Sequence, residues 1–229
     1  VSDVVSRGKP LLLRLSGPAA GAPAPHPGGP LTLHTHLRMD GRWRLFAPGT
    51  RWTGGPDHEV RAVLTTDAVT AVGYRLPVVE LVPTSREDDV VGHLGPDLLG
   101  PDWDLAEAAR RLGADASREV GAALLDQRTV AGLGTVYETE LLFLRGLTPW
   151  TSVGDVADPV ALLRLARRLL LANRDRGTRS TTGDLAPGRA LWVYDRARRP
   201  CRRCGTTIAT ARQGAPPYDR VAFWCPSCQ

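Results

Sequence analysis

The sequence predicts an α+β protein in which a strand-rich first part is followed by helices and closed by a small four-cysteine module. Three observations predict it. Residues 1–86 break into short β-branched or alternating segments separated by Gly, Pro and Asp. From residue 97 the apolar spacing becomes helical, and all four cysteines of the 229-residue chain fall within its last 29 residues.

The strand segments are Pro10–Leu15, Leu31–Met39, Arg42–Phe46, Glu59–Thr65, Val69–Leu76 and Val78–Val82, a pattern of sandwich or barrel type. The Gly-, Ala- and Pro-rich stretch from Ser16 to Pro30 reads as a flexible loop. The second and third strands read as a hairpin with Arg38-Met39-Asp40-Gly41 at its tip, because Asp-Gly is a two-residue turn signal. An exposed Met beside an Arg suits a wedge entering a base stack, and a Met tucked under a loop is an equal reading.

Four helices follow. Asp104 caps the first, which ends near Leu112, and Ser117 caps a second carrying Val120, Leu124 and Leu125. Thr135-Val-Tyr-Glu138 reads as a capping box opening a third helix to Arg145, with Gly146 as its stop. Asp158-Pro159 opens a fourth that runs to about Gly177. The Gly132-Leu-Gly134 turn before the third helix is either a phosphate cradle at a positive helix end or a tight corner. Arg174–Arg189, polar and rich in Gly, Thr and Arg, reads as a loop.

Cys201-Arg-Arg-Cys204 and Cys225-Pro-Ser-Cys228 face each other across 20 residues. Two Cys-x-x-Cys knuckles bend the backbone so that paired thiolates point at one ion, which makes one structural zinc the expected cofactor. Disulfides or a redox pair are the competing readings. No stretch resembles a secretory leader, and redox chemistry uses one such pair. Around the knuckles, Arg189–Gln229 carries eight arginines against Asp195 and Asp219, a net +6, whereas the whole chain carries +5. A compact basic module of this kind reads as a phosphate-contacting surface, with a purely structural zinc ribbon as the alternative. Among 29 basic residues Lys9 is the only lysine, so it is the one side-chain amine suited to giving or taking a proton. No apolar run approaches a membrane span, and a cytoplasmic protein without membrane partners is expected.

Four stretches, taken in order, resemble the Fpg/Nei family of bifunctional DNA glycosylases/AP lyases. They are Arg7-Gly-Lys-Pro-Leu-Leu-Leu13, Thr35-His-Leu-Arg-Met-Asp-Gly41, Leu125-Asp-Gln-Arg-Thr-Val-Ala-Gly-Leu-Gly134 and the ending Cys225-Pro-Ser-Cys-Gln229. Arg-Gly-Lys before the leucines is more similar to the endonuclease VIII (Nei) branch. The resemblance implies a β-sandwich domain (1–86), amino-terminally truncated, a helix-two-turn-helix domain (97–188) and a zinc finger (189–229), with damaged double-stranded DNA clamped between the domains by a monomer. It implies base-excision repair of oxidised pyrimidines through a Schiff base and β,δ-elimination. Lys9 then matches the proton donor for β-elimination, Arg220 the finger arginine of δ-elimination, and Arg38 with Met39 the void-filling wedge. An arginine keeps its proton to a pKa above about 12, so phosphate positioning suits Arg220 better than proton donation.

Three departures from the family pattern stand out. Thr135 replaces an Asn after Gly-x-Gly, and His93 replaces an Arg before the Leu94-Gly-Pro-Asp97 run; both remain DNA-contact candidates. The family's amino-terminal Pro-Glu pair, whose proline amine is the nucleophile, is not found among these residues. The expectation is therefore a truncated glycosylase that does not form the normal Schiff base as written. A non-enzymatic damaged-DNA-binding protein is the alternative.

Overall fold

The computed structural model describes residues 1–15, 29–216 and 219–229. Two compact units divide it, Val1–His93 and Leu94–Gln229. The loop read at Ser16–Pro30 lies, apart from its last two residues, outside the described residues.

The first unit is a β-sandwich built from two antiparallel sheets. In the first sheet, β1 (Asp3–Ser6), β2 (Leu11–Leu15), β3 (Leu31–His36) and β7 (Val78–Pro83) lie side by side in that order. The second sheet has the order β4 (Arg42–Phe46), β6 (Thr70–Tyr74), β5 (Val60–Thr65). Leu12, Leu33, Val72, Tyr74 and Leu76 are buried. Strand β1 was not expected from the sequence. Only Val5 of it is even half-buried, so the four-residue strand carries no burial pattern to read.

One expectation is corrected in topology. Strands β3 and β4 do not pair, since β3 lies between β2 and β7 while β4 pairs with β6. Residues 37–41 are thus a corner between sheets rather than a hairpin tip. Arg38 takes the left-handed conformation (φ 45°), the Gly41 amide donates to the Leu37 carbonyl at 2.8 Å, and this wider turn redirects the chain where a two-residue turn would have folded it back. A Cβ on Gly41 would meet the Leu37 carbonyl oxygen at 2.6 Å, so the corner requires glycine there.

A short helix α1 (Asp88–Val91) ends the first unit. The second contains α2 (Leu105–Leu112), α3 (Val120–Leu125), α4 (Thr135–Arg145), α5 (Pro159–Asn173) and the hairpin β8 (Ala209–Gln213) with β9 (Arg220–Trp224). The side chains of Asp104 and Asp158 accept the Glu107 and Ala161 amides at 3.0 and 2.7 Å, as N-caps do. Ser117 is no cap, because its hydroxyl binds Asp115 and the residue before α3 is Glu119. The capping box at α4 also fails: Gly134 holds the N-cap position and Glu138 turns inward to 1% exposure. At the other end Gly146 (φ 68°) closes α4, with the Leu147 amide reaching back to the Leu142 carbonyl at 2.9 Å. Helix α5 stops at Asn173, four residues before Gly177. The Asn173 side chain is buried and bonds Ser180 through both its amide nitrogen and its oxygen, at 2.9 and 2.7 Å, which folds the chain back early.

Helix α4 is buried on every side from Glu138 to Phe143. Leu141 and Leu142 join the core of α2, α3 and α5, where Leu98, Leu124, Leu162 and Leu163 are fully buried. Phe143 enters a second core with Val193, Cys201, Ile208 and Cys225. One helix therefore serves as the floor of both the helical bundle and the cysteine module.

Candidate nucleic-acid site and metal centre

In the first unit the register of β2 and β3 sets two candidate residues close together. Leu11 lies opposite Thr35, so the turn at 7–10 that carries Lys9 and the corner at 37–41 leave the same end of the sheet. Met39 is 87% exposed, the most exposed of the large apolar residues described, and Arg38 beside it is exposed. The sequence reading missed His36. Its Nδ1 accepts the Arg38 amide at 2.9 Å and so pins the corner from below. Burial, then the charges of Lys9, Arg38 and His34, hold the His36 imidazole below its usual value. His93 is exposed in the turn after α1.

The Gly132–Gly134 turn is organised by a side chain whose role was also missed. Gln127 accepts the Gly132 amide at 3.1 Å and donates to the carbonyls of Leu125 and Leu133, each at 3.0 Å. The Gly132 amide is therefore spent within the protein. The amides of the first turn of α4, at residues 135–137, have no intrahelical acceptor, and Thr135 sits half-buried at the first helical position. Beside this helix end, a cleft of about 500 Å³ is walled by Val136, Arg179, Tyr194, Arg196 and Arg199.

The cysteine module hangs on α4 through Glu140. This side chain is fully buried, and its carboxylate accepts the amides of Trp192, Val193 and Tyr194 at 2.7, 2.8 and 2.8 Å and the hydroxyl of Thr181. Phe143, one turn on, stacks on Trp192 with ring centres 5.5 Å apart, and the Arg203 guanidinium lies 4.3 Å above the Phe143 ring. At the far end Gln229 donates to the Leu147 carbonyl at 2.7 Å and accepts the Cys225 amide at 3.0 Å.

The four sulfurs of Cys201, Cys204, Cys225 and Cys228 lie within 4.8 Å of one another. A tetrahedral thiolate site with metal–sulfur bonds of about 2.3 Å places its sulfurs about 3.8 Å apart. The pairs Cys204–Cys225 and Cys201–Cys228, at 3.4 and 4.0 Å, bracket that spacing, so the donor set fits one metal ion. The Thr206 hydroxyl and amide hold the Cys204 thiol down to about 6, whereas burial and the neighbouring sulfurs push Cys228 up to about 12. A divalent cation offsets the cost of ionising such a crowded cluster. Arg220 opens β9, exposed, directly opposite Gln213. Among the described residues no helix is long and apolar enough to cross a membrane.

Residues 94–163 match the model of the formamidopyrimidine-DNA glycosylase H2TH domain. A probable endonuclease 8 2 of Streptomyces coelicolor is 54% identical over 231 residues, a match covering all of this chain and 79% of the relative. The DNA-(apurinic or apyrimidinic site) lyase Nei2 of Mycolicibacterium smegmatis is 44% identical, covering all of this chain and 82% of that protein. In structure, Lactococcus lactis Fpg in complex with abasic-site DNA superimposes over 99% of this chain and 80% of its own with a TM-score of 0.73 at 22% identity, a likeness of fold. With the H2TH segment matched and more than half of all positions shared with an endonuclease 8, the chain belongs to the Fpg/Nei family, on its endonuclease 8 branch.

Proposed function

We propose that the protein is a DNA glycosylase/AP lyase of base-excision repair, acting on oxidised bases, pyrimidines foremost, in double-stranded DNA as a monomer. The observation that carries this reading is the end of the first sheet, where exposed Met39, Arg38 and the sole lysine converge on a corner pinned by His36. An apolar wedge beside two cations suits a duplex whose stack is opened while its phosphates are held. The named activities of the endonuclease 8 and Nei2 relatives support the same reading. The family's Pro-Glu pair is not found in these residues, so the proposal concerns the groups that are present.

In this reading Met39 fills the gap left by the extruded nucleotide, with Arg38 bonding the base opposite. The Lys9 ammonium neutralises a backbone phosphate and hands over a proton during β-elimination. His93 and the first-turn amides at Thr135 approach neighbouring phosphates, and Arg220 holds the phosphate next to the lesion. The four cysteines hold one structural zinc, which closes the module at 189–229 as a finger on the helical domain at 97–188. The strands at 1–86 carry the wedge.

Borohydride trapping on an abasic-site duplex separates this reading from a purely binding one. A covalent adduct formed by the 229 residues identifies lyase chemistry with an amine among them, Lys9 being the only side-chain amine. Tight lesion-specific binding without any adduct favours a damaged-DNA-binding role for these residues. Met39→Ala is expected to lower the preference for abasic over intact duplex by roughly tenfold, since unstacking a step costs a few kcal/mol, and 2-aminopurine fluorescence at the lesion reads the loss of opening. Arg220→Ala is expected to weaken duplex binding by several-fold and to reduce the slope of log affinity against log salt by about 0.9, one phosphate contact. An unchanged slope removes Arg220 from the phosphate path.

A further inference from the structure

Three arginines on the outer face of α5 have no role in the proposed chemistry. Arg164, Arg167, Arg168 and Leu171 follow the spacing i, i+3, i+4, i+7, which places them on one stripe of the helix, on the side away from buried Leu162, Ala166 and Asn173. No Asp or Glu occurs in α5, and among the described residues none of the three guanidiniums has an ion pair or a hydrogen bond. Like charges three and four residues apart oppose helix formation, so the stripe weakens α5 until an anion lies on it.

The stripe borders an apolar recess. Trp103, two residues ahead of α2, and Leu105 at its start face the three arginines and exposed Leu171 across an open cleft of about 600 Å³. Arg167 leans on Trp103 with its Cζ 5.7 Å from the ring centre, and its Nε is buried without a hydrogen-bond partner. The aromatic contact holds this guanidinium in the wall of the cleft. The acids beside Trp103 are committed elsewhere. Asp104 spends its carboxylate on the Glu107 amide at 3.0 Å, and Asp102 turns toward Gly100, where an added Cβ would lie 2.7 Å from its Oδ1.

We propose that this cleft is a docking site for an acidic segment of a protein partner, which seats one apolar side chain against Trp103, Leu105 and Leu171 and lays its flanking carboxylates on Arg164 and Arg168. Charge complementarity selects an anionic occupant, because three cations stand together without a counter-charge. The apolar wall selects a peptide over a nucleic acid. A duplex offers phosphates, sugars and base edges, and has no protruding apolar group to fill a recess between two helices. An acidic peptide supplies both the carboxylates and the anchor. The site lies wholly within the helical unit and is independent of the wedge on the first sheet.

The test is fluorescence anisotropy of the full chain with a fluorescein-labelled peptide, Asp-Asp-Asp-Leu-Phe with a free carboxyl end. Saturable binding is expected with a Kd below about 1 mM, weakened roughly threefold between ionic strengths of about 0.05 and 0.3 M. A peptide with Ala for Leu and Phe, or with Lys for Asp, should lose most of that affinity. The double variant Arg164→Ala/Arg168→Ala, at two exposed positions, should bind the peptide roughly fivefold more weakly and keep its abasic-duplex affinity within about twofold. Leu171→Glu places a carboxylate among the arginines and should lower peptide affinity roughly tenfold. A peptide that does not saturate below about 1 mM, or that binds the double variant as well as the wild type, overturns the proposal. Loss of duplex affinity in the double variant, with a salt slope smaller by about 1.8, assigns the arginines to two DNA phosphates and overturns it as well. Met39→Ala should bind the peptide as the wild type does, so failure of the wedge reading and failure of the docking site are read separately.

Discussion

Glu140→Ala is expected to destabilise the helical unit by about 3–5 kcal/mol, the cost of leaving buried donors that were bonded to a charge without a partner. Three consecutive amides, at Trp192, Val193 and Tyr194, lose their only described acceptor, as does the Thr181 hydroxyl. Water cannot replace the carboxylate easily, because Glu140 and Val193 are fully buried. Glu140→Gln should cost nearly as much. It keeps the shape but turns an NH₂ group toward N–H donors and surrenders the charge that strengthens each bond. Urea denaturation with a probe in each unit measures the effect, and a loss under about 1 kcal/mol would show that the segment at 181–194 is held by Phe143 and Trp192 alone. Because that segment leads directly into the first cysteine knuckle, abasic-duplex affinity should fall with the stability.

Removal of the metal proposed for the four cysteines is the second large expected effect. Chelation, or Cys225→Ser, should abolish stoichiometric zinc and lower duplex affinity by more than tenfold, because structural zinc contributes roughly 10 kcal/mol or more to folding small thiolate modules. Among the described residues the buried core under the knuckles is Phe143, Val193 and Ile208 with Cys201 and Cys225, edged by half-buried Trp192 and Phe223, a small core to order the hairpin unaided. The helical bundle has its own core and should persist, so far-UV ellipticity changes little while tryptophan emission shifts. Trp224 on β9 stands edge-on to Trp150 at 4.7 Å and reports the loss directly. Cobalt substitution supplies an independent reading, since a tetrahedral tetrathiolate centre shows intense charge-transfer bands. Full duplex binding by a metal-free protein would reduce the module to a bystander.

Much of the site is legible in the primary structure because its parts are local. Cys-x-x-Cys knuckles, an Asp before a helix and a glycine after one act through neighbours a few residues away, and their geometry follows from the backbone. The Asp104 and Asp158 caps, the αL stop at Gly146 and the clustering of four sulfurs all arise in this way. Capping failed where a local motif competed with burial. Thr135 and Glu138 have the spacing of a capping box, but α4 is covered on all sides and Glu138 is drawn inward. Its acids, Glu138 and Glu140, are among the most buried side chains described.

Sheet topology was out of reach for the same reason. Alternation identifies β3 and β4 as strands but says nothing about which edges they join, and the corner at residues 37–41 sends them to different sheets. Alone, the amino-acid sequence determines an α+β chain of the endonuclease 8 branch, with two Cys-x-x-Cys knuckles, a sole lysine and the Arg38-Met39 pair before Asp40-Gly41. Only the tertiary structure decides that the segments carrying Lys9 and Arg38 leave one sheet end beside His36, that Gln127 consumes an amide of the glycine turn, and that Glu140 moors the cysteine module while Glu138 is drawn into the interior. These are pairings over tens of residues, made by burial and by the demand that every buried donor find an acceptor, and neither requirement is visible until the chain has folded.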